Sequence, residues 1–454
     1  MKEILIKGGQ VINEGKIFTA DLHVRNEKIE KIILPGEQFT CPDCEIINAR
    51  GKWVIPGVID DQVHFREPGL THKADIGSES AAAVAGGVTS FMEMPNTKPQ
   101  TVTLDLLEQK HETAAEKSLA NYSFYLGATN DNLEEITRLD PKKSCGVKVF
   151  MGSSTGNMLV DNPKTLKGIF SESPVLIATH CEDEGTIQKN IAIYRERYGE
   201  NIPVSFHPEI RSEDACYLSS SLAVQLARKY KSRLHVLHLS TWKEMDLFDP
   251  VPYTKVKRIT AEVCVHHLWF DSSRYESLGT HIKWNPAIKT AADREGLMNG
   301  LLSDRLDVIA TDHAPHTLEE KSNSYFKAPS GGPMVQHSLT VMLEYYHRGN
   351  ISLEKIVQKM CHTPADLFDI DRRGYIREGY WADLVIIDPE APWTVTKENI
   401  KYKCGWSPLM GQKFQSGVAY TLVNGHLAYE NTTGDPARSN IYNDSRGARL
   451  QFNR

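Results

Sequence analysis

Between residues 54 and 311 the sequence alternates short apolar, strand-like runs with longer helix-like segments, and this alternation constrains the fold more than any other feature. Eight such runs can be read, at 54–60, 89–94, 121–126, 146–150, 175–180, 234–239, 259–263 and 307–311. Helical candidates between them include 78–85, 105–117, 214–229 and 293–302. Strands that alternate with helices pair in parallel, because each crossover helix returns the chain to the same end of the sheet. Eight units of this kind predict an α/β fold, a (β/α)8 TIM-like barrel whose functional groups gather at the C-terminal ends of the strands.

The flanks read differently. Residues 3–7, 10–12, 22–25 and 29–33 have the character of short strands with Gly and Asn between them, and 420–429 repeats the style. Two strand-rich ends around a long middle predict a small β-sandwich assembled from both termini. The expected division is therefore 1–53 and 374–430 for the sandwich, 54–373 for the barrel, and 431–454 for a surface tail rich in Asn, Asp, Gly, Arg and Ser. At 454 residues the chain is long enough for both units.

Composition narrows the function. A net charge of −6 without any basic stripe argues against nucleic-acid binding. No run approaches the length of a membrane-spanning helix, and Met1–Gly9 lacks the apolar core of a signal peptide, so a cytoplasmic protein is expected. The eight cysteines are scattered, which predicts reduced thiols rather than a disulfide framework. Cys41-Pro42-Asp43-Cys44 is read as a surface turn, since neither a second CxxC nor a His pair lies nearby in the sequence.

The chemistry concentrates at the ends of the candidate strands. Asp60-Asp61-Gln62-Val63-His64-Phe65-Arg66-Glu67-Pro68-Gly69 follows the first, placing a histidine and an arginine where a metal and a substrate anion can meet. Lys148 lies in the fourth strand, His180 ends the fifth, His238 lies near the end of the sixth and Asp312 follows the eighth. Imidazole nitrogens and carboxylates are natural zinc ligands, and several of them at matching ends of different barrel strands form a joint signal. His207, His235, His266, His267, His281 and His313 are read as structural.

The first-strand segment resembles that of the amidohydrolase superfamily, most closely the dihydroorotases, where Asp-x-His-x-His-x-Arg-Glu-Pro-Gly is expected. Thr179-His180-Cys181-Glu182-Asp183, Leu237-His238-Leu239-Ser240-Thr241, Ala310-Thr311-Asp312-His313-Ala314-Pro315-His316, Met94-Pro95-Asn96-Thr97-Lys98-Pro99 and Asn285-Pro286 are similar to further segments of that family, in the same order. The resemblance is to the long, two-domain bacterial type. It implies reversible hydrolysis of the cyclic amide of dihydroorotate to N-carbamoyl-aspartate, a step of pyrimidine synthesis.

In that family's scheme His64, Lys148, His180, His238 and Asp312 hold zinc, with a CO2-derived carbamate on Lys148. A metal-activated water attacks the ring carbonyl and Asp312 shuttles the proton. Arg66, Asn96, Asn285, His316, Ser330 and Gly331 contact the substrate. A homodimer is expected, and association with aspartate transcarbamoylase is possible on the same grounds. The departure is Gln62, which stands where the family has its first metal-binding histidine. A neutral amide oxygen is a poorer zinc ligand than imidazole, so one firmly bound zinc and a second, weaker one are expected, with Gln62 a weak or absent ligand. A hydantoinase- or allantoinase-type amidase, or a non-catalytic scaffold for the transcarbamoylase, remain the alternatives.

Overall fold

The computed structural model describes residues 3–152, 158–443 and 446–454. All eight expected barrel strands are present and in order. The strands Val58–Val63, Val88–Glu93 and Asn121–Phe124 pair in parallel. Leu126–Gly127, Val147–Phe150, Ile177–His180, Leu234–Val236, Ile259–Cys264 and Val308–Ala310 form a second parallel run. The chain carries the ring on from Phe124 to Leu126 through Tyr125, whose N–H donates to the Glu93 carbonyl. The ring closes where His64 N–H donates to the His313 carbonyl at 2.7 Å. Apart from the half-buried Ile259 the strands are buried along their length, which is why they read as apolar runs rather than as alternating ones.

Helices cover the outside, and several have a local reason to start where they do. Asp75, Thr103, Ser212 and Thr290 cap Ile76–Ala85, Leu104–Lys117, Glu213–Tyr230 and Ala291–Leu302 through their side-chain oxygens. The exposed helix Glu184–Tyr198 carries too weak an apolar stripe to be read from sequence; Ile187 is its one buried residue.

The expected strand at 54–60 is two strands. Trp53–Pro56 pairs with Leu384–Asp388 and with the first strand of the chain, whereas Val58–Val63 opens the barrel. Gly57 is the break. Its N–H donates to the Asp383 carbonyl at 2.8 Å, and a Cβ there would fall 2.0 Å from Thr89 Oγ1. One apolar run therefore feeds two sheets.

Both ends of the chain build the second unit, a nine-stranded sheet of Ile4–Asn13, Lys16–Arg25, Lys28–Ile33, Glu45–Asn48, Trp53–Pro56, Leu384–Asp388, Gly417–Val423, His426–Glu430 and Asn440–Ile441. It has its own core of Ile4, Ile6, Leu22, Val24, Ile29, Leu384 and Ile386. Two findings correct the sequence reading. Cys41 and Cys44 are joined as a disulfide, against the expectation of reduced thiols throughout, while the other six cysteines are free. The end of the chain is also not a free surface arm, although residues 444 and 445 lie outside the described residues. Leu450 N–H donates to the Tyr122 carbonyl, and Leu450 and Phe452 are buried, each contributing about 1.5–3 kcal/mol relative to exposure.

A buried polar knot ties the sheet to the barrel. Asp383 accepts from Arg373 Nη1, from Asn121 Nδ2 at 3.1 Å and from Asn424 N–H at 2.8 Å. Asn121 Oδ1 in turn accepts from Asn424 Nδ2 and from Ala448 N–H. Replacing Asp383 by Ala strands the Arg373 guanidinium, whose side chain is 4% exposed. We expect a loss of about 3–5 kcal/mol, read as a lowered denaturation midpoint; a change below about 1 kcal/mol would show the knot to be dispensable.

Candidate metal centre

The C-terminal ends of the strands converge on a cavity lined by Gln62, His64, Lys148, Phe150, His180, His238, Asn285, Asp312, Ala314, Ser330 and Gly331. Nine of the residues singled out from sequence are thus brought together. Arg66, Asn96 and His316 stand behind this wall rather than in it.

Three of the group are held in the left-handed backbone region, Arg66 at φ 69°, His238 at 40° and Asp312 at 44°. Such conformations cost on the order of 1–3 kcal/mol each in non-glycine residues and cluster where side-chain direction matters more than local comfort.

His180 and His238 face one another, Nδ1 to Nε2, at 3.0 Å. Burial lowers the pKa of both, so two neutral imidazoles meet at about the separation expected of two ligands on one zinc ion. Lys148 is buried beside them with Nζ 4.6 Å from the Phe150 ring centroid. Burial brings its amine down to about 7, against the opposing pull of Asp312 and Glu262, so near neutrality much of it is uncharged.

Across the cavity His64 Nδ1 meets Asn96 Oδ1 at 2.8 Å and His64 Nε2 meets Asp312 Oδ1 at 3.1 Å. Burial holds His64 neutral. With Nδ1–H given to Asn96, the Nε2 lone pair confronts a carboxylate oxygen, an arrangement that calls for a proton or a cation between them. Burial raises Asp312 to about 7, so a shared proton is available there. Gln62 directs its amide nitrogen to the same Asp312 oxygen at 3.3 Å, and its own oxygen lies 3.6 Å from Cys264 Sγ. It presents a donor, not a ligand oxygen, to Asp312.

Arg66 is 3% exposed and its Nε donates to the Pro315 carbonyl at 3.0 Å. Its Nη2 lies 3.0 Å from His316 Nε2, which is equally close to the Ser330 carbonyl, while Lys73 Nζ approaches His316 Nδ1 at 3.0 Å. Burial, reinforced by Arg66 and Lys73, keeps His316 neutral, so the ring holds one proton. Placed on Nε2, that proton satisfies Ser330 while Nδ1 accepts from Lys73, and Arg66 Nη2 is left seeking an anionic acceptor. Asn285 Oδ1 is buried without a hydrogen-bond partner among the described residues. Gly331 uses its N–H on the Lys283 carbonyl and its carbonyl on Lys321 Nζ, so both of its backbone groups are already engaged.

Glu182 was not singled out from sequence. It lies 3.1 Å from His180 Nε2 and is paired with Arg211. Its place two residues after a strand-end histidine was the available signal. His266 stacks on Trp284 at 4.4 Å, and His267 Nε2 lies 3.1 Å from the Pro286 carbonyl; neither lines the cavity.

A sequence model of the Amidohydrolase family matches residues 53–428. The chain belongs to the amidohydrolase family. Among its curated relatives, the dihydroorotase of Halobacterium salinarum is 31% identical over 431 residues, covering 93% of this chain and 96% of the relative. That of Carboxydothermus hydrogenoformans is 31% identical over 434 residues, covering 94% and 98%. The solved structure of L-hydantoinase (dihydropyrimidinase) from Arthrobacter aurescens superposes with a TM-score of 0.92 at 25% identity, covering 99% of this chain and all of that one. The barrel and the terminal β-rich unit of this amidohydrolase are therefore shared with the hydantoinase structure, and the two sequence relatives named above are dihydroorotases.

Although burial opposes its ionisation, Arg211 and His180 bring Glu182 to about 2. A carboxylate lowered in the folded state adds stability that is fully present above its unfolded pKa and is lost as pH falls through the folded one. The apo protein should therefore lose stability between about pH 4.5 and 2 more steeply than its Glu182→Gln variant; parallel acid profiles would show the pair to be unimportant.

Proposed function

We propose that this amidohydrolase is a metal-dependent dihydroorotase, opening the cyclic amide of dihydroorotate to N-carbamoyl-aspartate and closing it in reverse. The observation that carries the reading is the buried Arg66 guanidinium, held against the Pro315 carbonyl and His316 Nε2 behind a cavity of metal-type donors. A ring that carries both an amide and a carboxylate suits that pairing.

The donor set fits zinc. Lys148, His180 and His238 would form the firmer site, and His64 with Asp312 the weaker one. A divalent metal there would lower the pKa of a coordinated water and polarise the ring carbonyl. The protein's own groups do the rest. Arg66 grips the substrate carboxylate in a bidentate pair, with His316 held neutral beside it. Asn285 Oδ1 is placed to accept from a ring N–H, and Asn96 fixes the tautomer of His64. Asp312, poised near neutrality, takes the proton of the attacking water on a carboxylate oxygen. As the water oxygen bonds to the carbonyl carbon and the carbon–nitrogen bond breaks, Asp312 returns that proton to the leaving nitrogen.

The hydantoinase-like fold supports a second reading, turnover of an uncharged cyclic amide, and Arg66 separates the two. Replacing Arg66 by Ala should lower kcat/KM on dihydroorotate by about two to three orders of magnitude, the loss expected for a charged hydrogen bond at about 1.5–3 kcal/mol plus lost orientation. Activity on a plain hydantoin should change far less. Equal losses on both substrates would reject the carboxylate assignment.

The amine of Lys148, neutral above about pH 7, is suited to react with CO2 to an anionic carbamate, which would suit a divalent cation where an ammonium would not. Supplying 13C-bicarbonate should give a carbamate carbon resonance that grows as pH rises through 7 and is missing in Lys148→Ala. A resonance unchanged by that substitution would place the carbamate elsewhere.

Gln62 bears on metal count. With the Gln62 amide nitrogen directed at Asp312, the weaker site of His64 and Asp312 lacks a second imidazole. The wild-type protein should hold one zinc firmly and lose the second on mild dialysis, whereas Gln62→His retains both. Full and equal occupancy in the two proteins would overturn this. A cytoplasmic homodimer, with a possible aspartate transcarbamoylase contact, completes the reading; sedimentation with and without that enzyme tests both associations.

A further inference from the structure

The turn Cys41-Pro42-Asp43-Cys44 finds its missing partners through the fold of the terminal sheet. The first strand, Ile4–Asn13, pairs with Lys16–Arg25 on one side, setting Leu5 opposite His23, and with Glu45–Asn48 on the other, setting Ile4 beside Glu45. Glu3, His23 and Cys44 therefore share one end of three adjacent strands, although they are far apart in sequence. The Cys44 N–H donates back to the Cys41 carbonyl and closes the turn over them.

Three groups converge on one oxygen. Glu3 Oε2 lies 2.7 Å from His23 Nε2, 3.6 Å from Cys41 Sγ and 4.0 Å from Cys44 Sγ. The four donor atoms all lie within 4.8 Å of one another. His23 is only 6% exposed at its side chain and packs against Phe39 at 4.9 Å, so its ring is held in place rather than roaming in solvent.

A disulfide explains this arrangement poorly. Its sulfurs carry no proton to give to a carboxylate, so Glu3 Oε2 faces two of them for no gain. A bridge between residues three apart also closes too short a loop to constrain the unfolded chain much. Two thiolates, an imidazole and a carboxylate are by contrast a full tetrahedral set for a borderline-soft cation. Two sulfurs each about 2.3 Å from one zinc ion would stand roughly 3.8 Å apart, and Glu3 Oε2 already lies 3.6 and 4.0 Å from them.

We infer that Glu3, His23, Cys41 and Cys44 form a structural zinc site in the reduced protein, separate from the barrel centre and pinning the start of the first strand to its two neighbours. The disulfide is the oxidised, metal-free form of the same four residues. Two molecules of a thiol such as glutathione convert one form to the other: they open the sulfur–sulfur bond, leave joined as their own disulfide, and supply the electrons and protons for two protein thiols. Those thiols lose two protons as the cation binds.

Cobalt(II) is the probe, because thiolate ligation gives a near-ultraviolet sulfur-to-cobalt charge-transfer band that nitrogen and oxygen ligands do not. The full-length protein, reduced and loaded with cobalt, should show this band and hold one more cobalt per chain than Cys41→Ser or Cys44→Ser treated alike. Oxidation of the wild-type protein should abolish the band without any mutation. Both variants should keep their barrel metal and their hydrolase activity, since neither residue lies near that centre. The absence of the band from reduced wild-type protein would overturn the assignment. So would a band that survives in the double variant Cys41→Ser/Cys44→Ser, which would place the thiolate elsewhere, at a cysteine such as Cys264 beside Gln62.

Discussion

The hydrogen bond from His64 N–H to the His313 carbonyl closes the ring of strands, and the functional geometry depends on that closure. It joins the first strand to the last within two residues of Gln62 and one of Asp312. Without it, groups 248 and 250 residues apart in sequence would have no reason to share a proton. Parallel pairing does the same for the rest, because register along neighbouring strands sets Lys148 beside Ala178 and Phe150 beside His180 at a common level.

Burial then does the chemical tuning. The same dry environment lowers Lys148 and raises Asp312, and both arrive at about 7. A lysine that is often neutral and an aspartate that often carries a proton are what a metal centre with a proton relay needs near neutral pH. His64, His180 and His238 are pushed towards neutrality by the same cause, which keeps their lone pairs available to a cation. Glu182 is the exception, kept ionised by Arg211 although fully buried, and it anchors the far side of His180.

Much of this was legible in the sequence because the relevant signals are local. A buried parallel strand is a short apolar run, and the residues at its end share one face of the barrel, so the convergence of His64, Lys148, His180, His238 and Asp312 on one cavity could be expected from the sequence. What escaped is tertiary. The break at Gly57 depends on how closely Thr89 approaches it. The pairing of Glu182 with Arg211 spans 29 residues. The orientation of the Gln62 amide is set by Asp312 and Cys264, and no pattern in the chain records which end of the amide points where. The Cys41–Cys44 turn looked isolated because Glu3 and His23 reach it only through strand pairing.

The most direct measurement is turnover of dihydroorotate by the zinc-loaded, bicarbonate-treated protein, followed in both directions beside Lys148→Ala. Ring opening and closure by the wild-type protein, lost in the variant, is the expected result, and it would place the reaction at the barrel centre with Gln62 in a working site. A folded, metal-containing protein that leaves dihydroorotate and carbamoyl-aspartate untouched would contradict the proposed function and reduce the family relationship to one of ancestry.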